Sequence, residues 1–196
     1  QRIRATVGVA VIFGTWFYLV FTRPTDWESV GGSSPALITL GGYVLGAILL
    51  LSASLPILPA RTIAIIPAAL VLNIVIGQIV GSVGIPLYLD SVGTILVAGL
   101  AGPIAGLATG TLSSIVWGLF NPAALPFAAV SAMVGLLSGV MIAKGMLRNI
   151  PLTITAGVVL GVISGMLAAP VAAFVYGGTA GVGTGALVSL FREMGN

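Results

Sequence analysis

The chain has 196 residues, of which 58% are hydrophobic and only 6% charged, and its formal net charge is +3. A soluble domain carries about 25% charged residues, so most of this surface is expected to face lipid. The absence of Cys and His excludes thiol chemistry, disulfides, imidazole bases and the usual transition-metal ligands.

The first residue is Gln, so the sequence is expected to start after the native N-terminus. Helix one is predicted over roughly Ala5 to Phe21. Arg2 and Arg4 ahead of an apolar run suggest a signal peptide. No small-x-small cleavage site follows, however, and Phe17, Tyr18 and Phe21 read as an interfacial anchor, so the helix is expected to be retained. Helix two is predicted from about Ala36 to Leu58, closed by Pro56 and Pro59. Helix three runs from about Thr62 to Val83, with a bend expected at Pro67, which lacks a backbone donor. An extended segment, 84–90, follows. Helix four, Ser91 to about Leu100, is too short to cross about 30 Å of hydrocarbon at about 1.5 Å per residue. It must tilt, be buried among neighbours, or continue past Gly102-Pro103. Helix five is predicted over about Pro103 to Phe120, broken by Asn121-Pro122. Helix six starts near Pro126 and ends near Lys144, and helix seven spans about Pro151 to Val175. A glycine-rich loop, 176–185, and an amphipathic stretch from Ala186 to Asn196 complete the chain.

With so few charges, the basic residues read as a topology signal and not as a nucleic-acid surface. Arg2, Arg4, Arg61, Lys144 and Arg148 are expected to be cytoplasmic, as is the N-terminus; Asp26, Glu28 and Asp90 then fall outside. Arg23 is the exception, offset by two acids in its own loop.

Small residues recur every four positions: Ala64 and Ala68; Gly102, Gly106 and Gly110; Ser131, Gly135 and Gly139; Gly157, Gly161 and Gly165. Such rows let helix backbones approach closely, either within the bundle or against another membrane protein. Asp90 reads either as a helix N-cap or as a contact to a cation or substrate. Asn73 and Gln78 read as interhelical hydrogen-bonding groups or as ligand contacts. Tyr88, Trp117 and Tyr176 read as interface anchors or as stacking walls for a flat ligand. The glycine loop has no Walker Lys and does not follow a strand, so neither nucleotide fingerprint is met. No nucleophile or acid–base pair marks a catalytic centre, and no cofactor is expected.

From about Thr62 onward, over roughly two thirds of its length, the chain resembles the substrate-binding membrane subunits (S components) of energy-coupling factor transporters, a type of ABC transporter. The blocks that carry this are NIVIGQIV at 73–80, IPLYLDSVGTILVAGLAGPIAGLATG at 85–110 and VYGGTAGVGTGAL at 175–187. The resemblance implies an all-α polytopic helix bundle with a six-helix core. It places a ligand near the extracellular side and docks the subunit, through small residues on the first core helix, to a transmembrane scaffold carrying two ATPases. Helix three maps to that first core helix, and Ala64-x-x-x-Ala68 to the docking motif. Helices one and two, residues 1–61, are additional to the core, residues 62–196, and the sixth core helix is expected to be missing from this sequence.

The functional expectation is a non-enzymatic, multi-pass plasma-membrane subunit that binds a vitamin-like micronutrient outside and delivers it for ATP-driven import. Riboflavin, thiamine, a cobalamin-related compound, a queuosine precursor and a pyridoxine-like molecule all remain compatible. The expected lining is Asn73, Gln78, Tyr88, Asp90, Thr94, Trp117, Asn121, Tyr176 and Thr179: amides, acid and hydroxyls to orient polar groups, and aromatics to pack against a ring. A membrane sensor or assembly module using the same helical fold without transport is the alternative, with a self-contained channel or secondary carrier behind it.

Overall fold

The structure, a computed structural model, describes residues 1–25, 27, 32–83 and 89–175. The expected contacts Tyr88, Tyr176 and Thr179, the glycine loop and the stretch after it lie outside the described residues. Among the described residues there are seven α-helices and no strand: α1 (Arg2–Thr22), α2 (Ser34–Ser54), α3 (Ala60–Val83), α4 (Val92–Ala101), α5 (Pro103–Gly118), α6 (Ala128–Ala143) and α7 (Ile150–Val175). Five of them are long and apolar enough to cross a membrane: α1, α2, α3, α6 and α7, with short 3-10 turns extending α2 and preceding α6. This is the make-up of a multi-pass membrane protein.

Local chemistry explains the helix ends. The Ser33 hydroxyl accepts from the Ala36 N–H at 3.3 Å and starts α2, with Pro35 in the first turn. Pro56 lacks the N–H that α2 would need to continue, so the chain tightens into a 3-10 turn at Leu55–Ile57. α1 stops where Arg23 turns left-handed, at φ 48°, just ahead of Pro24. α3 is an unbroken helix through Pro67. α4 and α5 are separated by Gly102 at φ 87°, a conformation that glycine adopts without steric cost.

α4 does not continue past Gly102. It folds back against its neighbours, so that a Cβ on Gly106 of α5 would stand 2.5 Å from the Ala98 Cβ. One side of α4 (Gly93, Thr94, Val97, Ala98) is buried, while Val92, Leu96 and Leu100 are exposed. The requirement for burial among neighbours is met by α3, α5 and α6, all of which α4 contacts.

α5 is the centre of the bundle. It packs on α2, α3, α4 and α6. Its glycine row faces the row on α6. A Cβ on Gly110 would strike the Ser131 carbonyl, one on Gly135 the Gly106 carbonyl, and one on Gly139 would lie 2.5 Å from the Pro103 Cα. The Ser114 and Ser131 hydroxyls hydrogen-bond across the same seam at 2.8 Å. The third glycine row behaves differently: among the described residues, nothing lies within 4 Å of a Cβ built on Gly157, Gly161 or Gly165 of α7.

The larger buried cluster joins Ile12 and Leu19 of α1 and Tyr43 and Leu50 of α2 to Leu107 and Ile115 of α5, Leu125, and Ala128 and Ala132 of α6. It crosses the sequence boundary drawn at residue 61. The Tyr43 hydroxyl donates to the Pro126 carbonyl at 3.4 Å, and the Trp16 indole N–H donates to the Leu167 carbonyl of α7 at 3.0 Å.

Candidate functional site

Two layers of polar and aromatic side chains lie where α3, α4 and α5 meet. The lower one is centred on Asn73, which is fully buried on α3. Its amide nitrogen donates to Thr94 Oγ1 at 2.8 Å and to Ser113 Oγ at 3.3 Å, and its Oδ1 accepts from the Gly93 N–H at 2.7 Å. The last bond matters for α4. Its N-cap residue, Ser91, makes no side-chain cap bond, so a first-turn donor that a helix normally leaves orphaned is satisfied by a neighbouring helix. The cap comes from Asn73, and Asp90 does not supply it. Gly93 permits the approach: a Cβ there would run into the Ala69 backbone of α3.

One helical turn further along α3, on the face it shares with Asn73, lies Gly77. A Cβ on Gly77 would stand 2.8 Å from Trp117 Cη2 and 3.0 Å from Asp90 Cβ. The acid and the indole are therefore neighbours, no more than about 6 Å apart, across a glycine that leaves room for both. Both are half-buried. The Asp90 carboxylate has the Ser91 hydroxyl at 3.4 Å and no ion pair among the described residues. Gly77 precedes the end of α3 at Val83 by six residues, so Asp90 and Trp117 sit about 9 Å short of that end at 1.5 Å per residue.

The expected site residues therefore separate. Asp90 and Trp117 come together. Asn73 and Thr94 are closed off and occupied, holding three helices in register. Gln78 is exposed, turned about 100° away from the Asn73–Gly77 face. Asn121 is exposed just beyond α5, where its N–H donates to the Trp117 carbonyl at 2.8 Å. Ala64 and Ala68 are exposed on α3. Sequence reasoning missed Gly77, Gly93 and Ser113. The two glycines were legible only as small residues spaced four from Asn73 or three from Asp90, a signal shared with many other positions in the chain.

Most of the basic residues gather at the opposite end. Arg4 donates to the Ser52 carbonyl at the end of α2 at 3.2 Å, and Arg61 lies at the start of α3. Lys144 caps α6 a turn beyond Gly139, which packs on Pro103. A pocket of about 350 Å³ opens at this same end, lined by Gln1, Arg2, Ser54, Ile57, Gly102 and Pro103 among others. It is remote from Asp90. Arg23 is held apart, its Nε 3.4 Å from the Val20 carbonyl. No group of three or more acidic, His or Cys side chains able to hold a metal is found among the described residues.

Comparison with known proteins gives no match to any family model, to any curated protein or to any solved structure.

Proposed function

We propose that this chain is the substrate-binding membrane subunit of an ATP-driven importer of a vitamin-like micronutrient, with the ligand taken up at the Asp90 end of the bundle. The reading begins from the three sequence blocks that resemble energy-coupling factor S components. The observation that carries it is the meeting of Asp90, Gly77 and Trp117: a carboxylate with no ion pair among the described residues, beside an indole, across a glycine, at the end remote from Arg4, Arg61 and Lys144. An acid at such depth is costly and is retained where it serves a ligand, an ion or a partner. A flat ligand with one polar group suits an aromatic wall and a single charge.

In this reading Asp90 and Trp117 contact the ligand, and Asn73 and Thr94 fix the α3–α4–α5 geometry behind them. Gln78, Tyr88, Asn121, Tyr176 and Thr179 extend the lining. The resemblance assigns ATP hydrolysis to two partner subunits, and this chain carries no nucleotide motif of its own. The exposed Ala64–Ala68 pair on α3 is the docking face for the transmembrane scaffold. α1 and α2, which share the buried cluster of α5 and α6, brace the core from the other side.

The test has two arms. Purified protein should hold one small molecule per chain by native mass spectrometry, and the combined change of Asn73, Asp90 and Tyr176 to Ala should abolish that binding. Binding that survives the triple change would sink the site. Separately, Ala64→Trp with Ala68→Trp should stop ATP-dependent uptake while ligand binding persists. Uptake that persists without any ATPase partner would refute the importer reading.

A further inference from the structure

We infer that the ligand is an aromatic cation, its positive charge paired with Asp90 and its ring laid against Trp117; the inference rests on the binding-subunit reading above. Asp90 is the only acidic residue among the described residues, and no cation pairs with it there. Its partners are its own backbone N–H and the Ser91 hydroxyl at 3.4 Å, neither of which brings a positive charge. A half-buried carboxylate without a counter-charge carries a desolvation cost that a neutral ligand leaves in place and an anion makes worse. A cationic ligand removes it by supplying the missing charge.

The neighbour across Gly77 points the same way. Trp117 lies beside Asp90, and indole is the most favourable aromatic partner for a cation. Among the described residues, no guanidinium or ammonium competes for the position. Arg61 lies sixteen residues from Gly77 along α3, about 24 Å away. Arg2, Arg4 and Lys144 share that far end, and Arg23 turns back to its own helix. The amide that lies nearest along the same face of α3, Asn73, has both its oxygen and its nitrogen committed to Gly93, Thr94 and Ser113. Among the described residues, discrimination between a charged ring and its neutral isostere therefore falls to one carboxylate.

Three probes that share a pyridine ring and differ in charge test this: 1-methylnicotinamide (cation), nicotinamide (neutral) and nicotinate (anion). They are titrated against the full chain in detergent, freed of retained ligand, with tryptophan fluorescence as the readout. The expected result is binding of the cation in the millimolar range or tighter, about tenfold above nicotinamide, with nicotinate weakest. Asp90→Asn should shrink the cation preference to within about twofold, and Trp117→Phe should weaken the cation several-fold. Size-exclusion and circular dichroism profiles matching the parent protein establish that each variant is folded, and the comparison of the three probes on the unaltered protein needs no variant. The inference is overturned if nicotinamide or nicotinate binds as tightly as the cation, if none of the three binds up to about 100 mM, or if the preference survives Asp90→Asn. A neutral or anionic molecule retained at one per chain would overturn the charge assignment and leave the binding-subunit reading standing. Cation-selective binding without ATP-dependent uptake would remove only the importer reading.

Discussion

Alanine substitution in the three glycine rows should separate the rows that pack from the row that, among the described residues, does not. In Gly110→Ala the new methyl would clash with the Ser131 carbonyl, and in Gly135→Ala with the Gly106 carbonyl. Both obstacles are backbone, so relief requires α5 and α6 to move apart, against the Ser114–Ser131 hydrogen bond and the Gly139–Pro103 contact. Overpacking of this kind costs about 1–3 kcal/mol. Exchanging helical Gly for Ala returns about 1 kcal/mol through propensity. In Gly157→Ala and Gly161→Ala nothing among the described residues lies within 4 Å of the added carbon, so only the propensity gain remains. The difference between the two sets isolates the packing cost. With about 2–4 °C per kcal/mol for a chain of this size, the α7 variants should melt roughly 2–12 °C above the α5 and α6 variants in a detergent thermal-unfolding assay. Equal melting temperatures for Gly110→Ala and Gly157→Ala would refute the assignment of which glycine row is packed.

Further expectations concern the junction and its surroundings. Asn73→Leu breaks three interhelical bonds at about 0.6–1.7 kcal/mol each, so unfolding should be easier by about 2–5 kcal/mol, and hydrogen exchange should rise first in α4. Gly77→Val drives a side chain into Trp117 and Asp90; ligand affinity should fall about tenfold or more while the protein remains helical by circular dichroism, and unchanged affinity would remove Gly77 from the site. Trp16→Phe deletes the indole donor to Leu167, a loss of about 1 kcal/mol, which should appear as faster amide exchange in α7 with α5 unaffected.

The helix positions were largely legible in the sequence. Long apolar runs bounded by Pro and by Gly-Pro or Asn-Pro pairs leave little freedom, because backbone groups in lipid must bond within their own segment. The predicted limits of helices two and five overshoot by only a few residues, at Pro56 and at Gly118-Leu119. The candidate site was legible only in part. Asn73 and Gln78 are both amides on one apolar helix, yet Asn73 is buried with no exposed surface and Gln78 is exposed. Five residues of helix turn them through about 140° relative to each other, and nothing local says which face meets α4 and α5.

The sequence by itself determined that this is a bundle of apolar helices, because its scarcity of charge and its apolar run lengths permit little else. It also determined that α4 is too short to span, since length converts directly to distance at a fixed rise per residue. Only the tertiary structure decided which small-residue rows are seams. The same four-residue spacing occurs on α5, α6 and α7, but a seam needs a second surface at contact distance, and that is a property of two helices at once. The tertiary structure likewise set Asp90 beside Trp117 and gave the α4 cap to Asn73, because residues 27 and 20 positions apart in the chain become neighbours only when α3, α4 and α5 pack.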